Sequence, residues 1–327
     1  SSLRAPSAPA TIRAAASITN PSSGIASGPT ARSALSRKLR EQDRPVHRLV
    51  KSPLPSLGRN DTVHVGRLED IGLIRGILPQ CGVVVHLASA TTPGSSATSP
   101  SMEAELNLLP TLRLLEALHD FPDTRLIVTS SGGTLYGNPT TPTVTEDAPL
   151  SPLSYHGTGK LAIEGFLHTF QHLTGQNIAV LRPSNLYGPE QSLRQGFGLI
   201  RNMLEHARSS KPINIWGDGE SVRDFLYIDD MVDVCCRVIS DRRSGWQVYN
   251  VGSGVGHSVN QIRQAIQEIT GMPVLAQYHP ARPGDVRRIV LDCSKLHADL
   301  GWSPAVPLAE GIRRTWQWLQ SFPPGQT

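Results

Sequence analysis

The chain has 327 residues, with 39% hydrophobic and 18% charged residues, which fits one large α/β unit or two ordinary domains with a substantial core. Its net charge of +4 and pI near 9.0 are mildly basic and diffuse. No run interleaves basic and aromatic residues, so the charge suits an anionic small molecule better than nucleic acid. No apolar run reaches membrane-spanning length. The four cysteines, Cys81, Cys235, Cys236 and Cys293, lack metal-binding spacing and read as reduced core residues of a cytoplasmic protein.

Residues 1–32 are rich in Ser, Ala, Pro and Arg and contain no acidic residue. That composition predicts a poorly ordered or eroded leader. A solvated tail, a disturbed reading frame and an Arg- and Ser-rich transit peptide all fit it. From residue 33 the texture is orderly: a helix over 33–42, strands over 46–50 and 63–65, and a helix over 70–78. Residues 82–88 form a continuous apolar run, the pattern of a buried parallel strand. A helix is expected over 103–119, kinked at Pro110, and a strand over 125–129. Further strands are expected over 178–183, 213–216 and 247–251, and helices over 199–207, 231–239, 259–270 and 308–319. The alternation predicts a Rossmann-type, doubly wound parallel sheet over 33–182, with strands returning from the second half. Residues 183–327 would then form mainly a smaller C-terminal substrate-binding domain.

In an open parallel sheet, ligands bind beyond the carboxyl ends of the strands. His86-Leu87-Ala88 ends one strand, Ser130 to Thr134 follows the next, and Arg182 to Asn185 ends a third. The stretch Ser154-Tyr155-His156-Gly157-Thr158-Gly159-Lys160 opens a helical run. A phenol, an ammonium and hydroxyls near strand ends suit proton transfer with an alcohol. His86 has no partner ligands in sequence and reads as a buried, hydrogen-bonded residue, and no metal site is expected. Asp229 and Asp230 fit N-capping and the dipole of a helix start.

Taken in order, these pieces resemble the extended short-chain dehydrogenases/reductases, in the branch of nucleotide-sugar epimerases and dehydratases. The resemblance rests on His86-Leu87-Ala88, Asn107, Ser130 to Gly137, Lys160, Leu181-Arg182-Pro183-Ser184-Asn185, Gly217-Asp218-Gly219, Arg223-Asp224-Phe225, Tyr227-Ile228-Asp229-Asp230 and Arg282-Pro283-Gly284-Asp285. It implies bound NAD, a nucleotide-sugar substrate that is commonly UDP-linked, and chemistry like that of UDP-glucose 4-epimerase. It also implies a homodimer through the helices after Glu103 and Lys160. By resemblance, Tyr155 is the acid/base, Lys160 holds the cofactor ribose, and Ser131 or Thr134 bonds the sugar hydroxyl. Gly24, Gly28, Leu68, His86, Leu87, Ala88, Asn107, Lys160 and Pro183 are the implied cofactor contacts. Asn185, Arg223 and Arg282 are the implied substrate contacts, guanidinium being suited to a diphosphate. Asn185 reads equally as a turn cap, and the arginines as surface ion pairs with Asp224 or Asp285.

The chain departs from the family pattern at four places. Only Gly24 and Gly28 remain of the glycine-rich turn, and no good strand precedes them. Tyr155 and Lys160 are five residues apart, about 140° around an ideal helix, while His156 stands four before Lys160. Either Tyr155 sits before the regular helix, or His156 takes its role. Gly132 replaces the usual Ser or Thr. Arg48 and Lys51 stand where an acidic residue would meet the NAD ribose, which would suit the 2′-phosphate of NADP. The expected reaction is epimerisation of a UDP-hexose at C4 through a 4-keto intermediate. The alternatives are a reductase or dehydratase on the same scaffold, the dehydratase's acidic pair being replaced by Gly133 and Thr134, and an inactive homologue or binding protein with a degraded cofactor site.

Overall fold

The computed structural model describes residues 14–18, 29–56, 58–194, 196–282 and 285–323. Strand β1 (Ala14–Ile18) and helix α1 (Pro29–Glu41) precede β2 (Val46–Val50), β3 (Asp61–Val65), α2 (Ile71–Ile77) and β4 (Cys81–His86). Helix α3 (Ser101–Glu103) passes through a π-helical turn (Ala104–Leu108) into α4 (Leu109–Leu118). Then come β5 (Arg125–Thr129), α5 (Gly132–Leu135), α6 (Tyr155–Thr174) and β6 (Ile178–Pro183). The second half holds β7 (Asn185–Tyr187), α7 (Leu199–Arg208), β8 (Ile213–Trp216), β9 (Val222–Tyr227), α8 (Ile228–Ser240) and β10 (Trp246–Val251). It closes with β11 (Gly256–Ser258), α9 (Val259–Thr270), β12 (Ala276–His279), β13 (Arg288–Ile289), α10 (Ser294–Leu300) and α11 (Leu308–Gln320).

The main sheet is parallel throughout, in the order β3-β2-β1-β4-β5-β6-β10. Its central strands are apolar on both faces because helices cover both. Successive residues of β4 alternate accordingly: Val83 and Val85 enter the core layer that holds Leu35 and Leu39 of α1, and Val84 enters the layer with Ile74, Leu114 and Ile163. A smaller sheet, β11-β9-β13 with β7 on β9, and the pair β12-β8 make up the second unit. Asp224 of β9 stitches it together. Its buried carboxylate accepts from Ser253 N and Oγ, Gly254 N and Leu291 N.

Four expectations are corrected here. The sheet includes Ala14–Ile18, upstream of the boundary at residue 33, and this strand lies between β2 and β4. Pro110 does not simply kink its helix. The π turn before it widens the spiral where a proline N–H is missing, and Thr111 Oγ1 donates to Asn107 O at 2.7 Å. Asp229 and Asp230 lie in the first turn of α8, but Tyr227 is its N-cap and gives no side-chain bond. Asp230 instead accepts from the amides of Ala305 and Val306, anchoring the segment that leads into α11. Arg48 does not face a ribose phosphate. It is buried mid-strand against Asp61, with Arg48 Nη2 2.6 Å from Asp61 Oδ2, and only Lys51 stands at the strand end.

The Arg48–Asp61 pair joins β2 to the edge strand β3 with both side chains out of water. Removing one partner strands the other charge. Asp61→Ala is expected to cost about 3–5 kcal/mol, read as a lower urea midpoint with an unchanged slope.

Candidate active site

The site lies where β4, β5 and β6 end. Ser89 follows β4, Ser130 follows β5, Ser184 follows β6 and Thr134 lies on α5. The hydroxyls of all four are buried and find no hydrogen-bond partner among the described residues. A buried polar group left unpaired costs about 1–3 kcal/mol. Unpaired hydroxyls at the ends of three adjacent strands therefore mark a place for a polar ligand. His86 is buried at the end of β4 with Nε2 3.1 Å from Thr111 Oγ1, the hydrogen-bonded role expected of it.

Helix α6 carries the chemistry to these strand ends. Ser154 caps it, its Oγ accepting from Gly157 N at 3.1 Å. His156, Lys160 and Glu164 recur every fourth residue and so share one face. All three are buried. Lys160 Nζ donates to Thr129 O at 3.1 Å. Burial pushes its ammonium down to about 8, against the pull of Glu103 and Glu164. His156 Nδ1 lies 3.0 Å from Thr91 Oγ1 and 3.5 Å from Glu103 Oε1. Burial holds the imidazole below its ordinary value; Glu103 opposes this and Lys160 adds to it. Burial also works against the charge of Glu103, but bonds from His156, Thr91 and Ser96 bring its carboxyl down to about 2. Asn107 Nδ2 donates to both Thr91 Oγ1 and Glu103 Oε2 at 2.8 Å.

Tyr155 is not part of this group. It is the first residue of α6, inside the regular helix, and 47% exposed. The angle derived from its spacing therefore applies, and it points away from the face of Lys160. Ser131 is half-buried at the N-cap of α5 and makes no capping bond. Leu68 and Leu87 are core residues, Ala88 is half-buried, and Pro183 ends β6 in a buried position. Gly24 and Gly28 lie outside the described residues. Asn185 donates from Nδ2 to Asp224 O at 3.0 Å, a cross-strand bond and not a turn cap. Arg223 is half-buried on β9, and burial lowers its pKa against the pull of Asp285. Arg282 lies 3.4 Å above the ring of Trp216, which also stacks on His279. Asp285, whose N–H donates to the Arg282 carbonyl at 3.3 Å, is the charge that acts on Arg223.

Sequence reasoning missed Thr91 and Glu103. The one available signal was the four-residue spacing of Glu103 and Asn107, which sets both on one face. Gly132 also has a structural cause. A Cβ there would meet Leu291 Cδ1 at 2.5 Å and the Arg182 carbonyl at 2.8 Å. Leu291 thus fills the space that a side chain at position 132 would need. Gly132→Ser is expected to destabilise the protein by about 1–3 kcal/mol, and Leu291→Ala in the same chain to recover part of that loss in thermal denaturation.

Comparison with known proteins agrees with this architecture. The NAD dependent epimerase/dehydratase family matches residues 33–252. The UDP-glucose 4-epimerase of Mycolicibacterium smegmatis is 34% identical over 250 residues, 76% of this chain and 79% of that protein. The crystal structure of UDP-glucose 4-epimerase with UDP-glucose from Thermotoga maritima matches with a TM-score of 0.84 at 29% identity, over 94% of this chain and 99% of that one. The Thermus thermophilus UDP-glucose 4-epimerase complex with NAD matches with a TM-score of 0.83 at 27% identity, over 95% and 100% of the two chains. With a parallel sheet in this order, a polar cluster at its strand ends and a family match over two thirds of its length, the chain belongs to the NAD-dependent epimerase/dehydratase family.

Proposed function

We propose that this protein epimerises a nucleotide sugar, a UDP-hexose at C4, using NAD, with His156 as acid/base and Lys160 as its cationic neighbour. The observation that carries the reading is the burial of His156 on the same face as Lys160, one helical turn before it. The unpaired hydroxyls of Ser89, Ser130 and Ser184 and the buried ammonium of Lys160 suit a dinucleotide carrying ribose hydroxyls and phosphates. NAD, when bound, supplies a hydride acceptor and donor at the sugar carbon. The chain's own residues handle the proton and the grip. An imidazole held below its ordinary pKa of 6.5 is neutral at pH 7 and accepts the proton of the C4 hydroxyl. The resulting imidazolium returns that proton to the ketone oxygen after the keto sugar has turned over. The buried, unpaired hydroxyl of Thr134 supports a bond from this residue to the sugar. Arg223 and Arg282 hold the diphosphate and Asn185 faces the sugar. Exposed Leu109 on α4, and Phe166 and Leu173 on α6, support pairing of two copies through these helices.

Denatured protein is expected to release NAD, and native protein to convert UDP-galactose to UDP-glucose. A protein that holds no NAD and gains no activity from added NAD or NADP sinks the reading. His156→Gln is expected to lower kcat by roughly 10²–10⁴-fold, while Tyr155→Phe leaves it largely intact. The opposite pattern moves the base to Tyr155. Because the base must be neutral, the acid limb of kcat/KM is expected at a pH below 6.5, and a second fall is expected on the alkaline side as Lys160 loses its proton at a pH of about 8.

A further inference from the structure

The hydrogen bonds behind His156 can be oriented one by one from a group with a fixed role. The Ala90 N–H can only donate, and Asn107 Oδ1 accepts it at 2.6 Å. The Asn107 amide is thereby fixed in orientation, so its Nδ2 gives one proton to Glu103 Oε2 and the other to Thr91 Oγ1. Thr91 Oγ1 has a second lone pair 3.0 Å from His156 Nδ1, and the Thr91 hydroxyl also acts on the Glu103 carboxyl. Glu103 Oε1 also lies 3.5 Å from His156 Nδ1. A proton on Nδ1 can be accepted by Thr91 Oγ1 and faces Glu103 Oε1, a buried oxygen with no hydrogen-bond partner of its own among the described residues. A bare Nδ1 would set a lone pair against a carboxylate in a buried site, where polar mismatch is costly. Glu103 reaches this position because Gly159 leaves room: a Cβ there would lie 3.0 Å from Glu103 Oε2 and 3.2 Å from Glu103 Cβ.

We propose that Glu103 is the positioning residue of this site: with Thr91 and Asn107 it holds His156 in the Nδ1–H tautomer, leaves Nε2 as the proton acceptor, and stabilises the imidazolium formed when Nε2 takes the sugar proton. The proposal rests on the reading of His156 as acid/base. The charged groups facing the imidazole are Glu103 from α3, which favours its protonated form, and Lys160 from its own helix, which disfavours it. Loss of the carboxylate therefore moves His156 protonation to lower pH.

The test is nitrogen-15 histidine labelling of the full chain, with long-range proton–nitrogen spectra recorded across a pH series. The His156 signal is assigned by its loss in His156→Gln. The expected wild-type spectrum has Nδ1 protonated and Nε2 bare. In Glu103→Gln the protonation midpoint is expected to fall, the acid limb of kcat/KM to move in the same direction, and kcat to drop roughly tenfold or more with KM little changed. A wild-type Nε2–H tautomer overturns the proposal, even if Glu103→Gln does not fold. An unmoved midpoint in folded Glu103→Gln overturns it as well. The spectra need no turnover, so an absence of epimerase activity would overturn the proposed function and still leave the role of Glu103 to be decided by the spectra.

Discussion

A single helix face sets the terms for this structure. Helix α6 turns His156, Lys160 and Glu164 inward, and burying charge costs several kcal/mol per group unless each is paired. Each is met by a specific partner. Glu164 takes Arg182, Nη2 to Oε2 at 2.7 Å, and Lys160 takes the Thr129 carbonyl. Arg182 reaches on to the Tyr136 hydroxyl, which donates to Asn250 on β10. The pairing fixes the rotation of α6 against the sheet. A helix turned by one residue would carry Glu164 away from buried Arg182, leaving that charge unpaired, and would turn Tyr155 toward the strand ends. The question of which side chain faces the site is therefore answered two turns further along, by an ion pair remote from the chemistry.

The second unit is held by the same logic at smaller scale. Asp224 is buried among amides and a hydroxyl from Ser253, Gly254 and Leu291, so β9, the loop after β10 and the stretch after β13 meet at one carboxylate. Burial raises its pKa and these donors oppose the rise. Arg223 is the next residue back along β9, and its direction is inherited from that junction. Leu291, whose amide belongs to the junction, is also the residue that occupies the space at Gly132. Packing of the second unit thus shapes the turn after β5 in the first.

Much of the fold could be read from the residues. β5 and β6 are largely apolar runs with clear breaks, and α9 begins with a Ser258–Gln261 capping box. The strands of the second unit were harder. β9 carries Arg223 and Asp224, which read as motif residues and not as strand, and β13 is only two residues long. In the site, Lys160 was legible because an ammonium at a helix start near hydroxyls has few structural uses. The choice between Tyr155 and His156 was not, because it depends on where the helix begins. Glu103 was invisible because nothing in a sequence says that a carboxylate at a helix start is covered. Its burial follows from the π turn beside it and from the missing side chain of Gly159 on the facing helix.

Strand β1 has a consequence for how this chain survives outside its folded state. It is hydrogen-bonded to β2 on one side and β4 on the other, and so connects the β2-β3 block to the β4-β5-β6-β10 block. Until Ala14–Ile18 docks, both blocks present a bare parallel edge, and such edges template pairing between chains. Parallel pairing over long sequence separations is also slow. Solubility during folding thus hangs on a five-residue strand that closes two sticky seams at once.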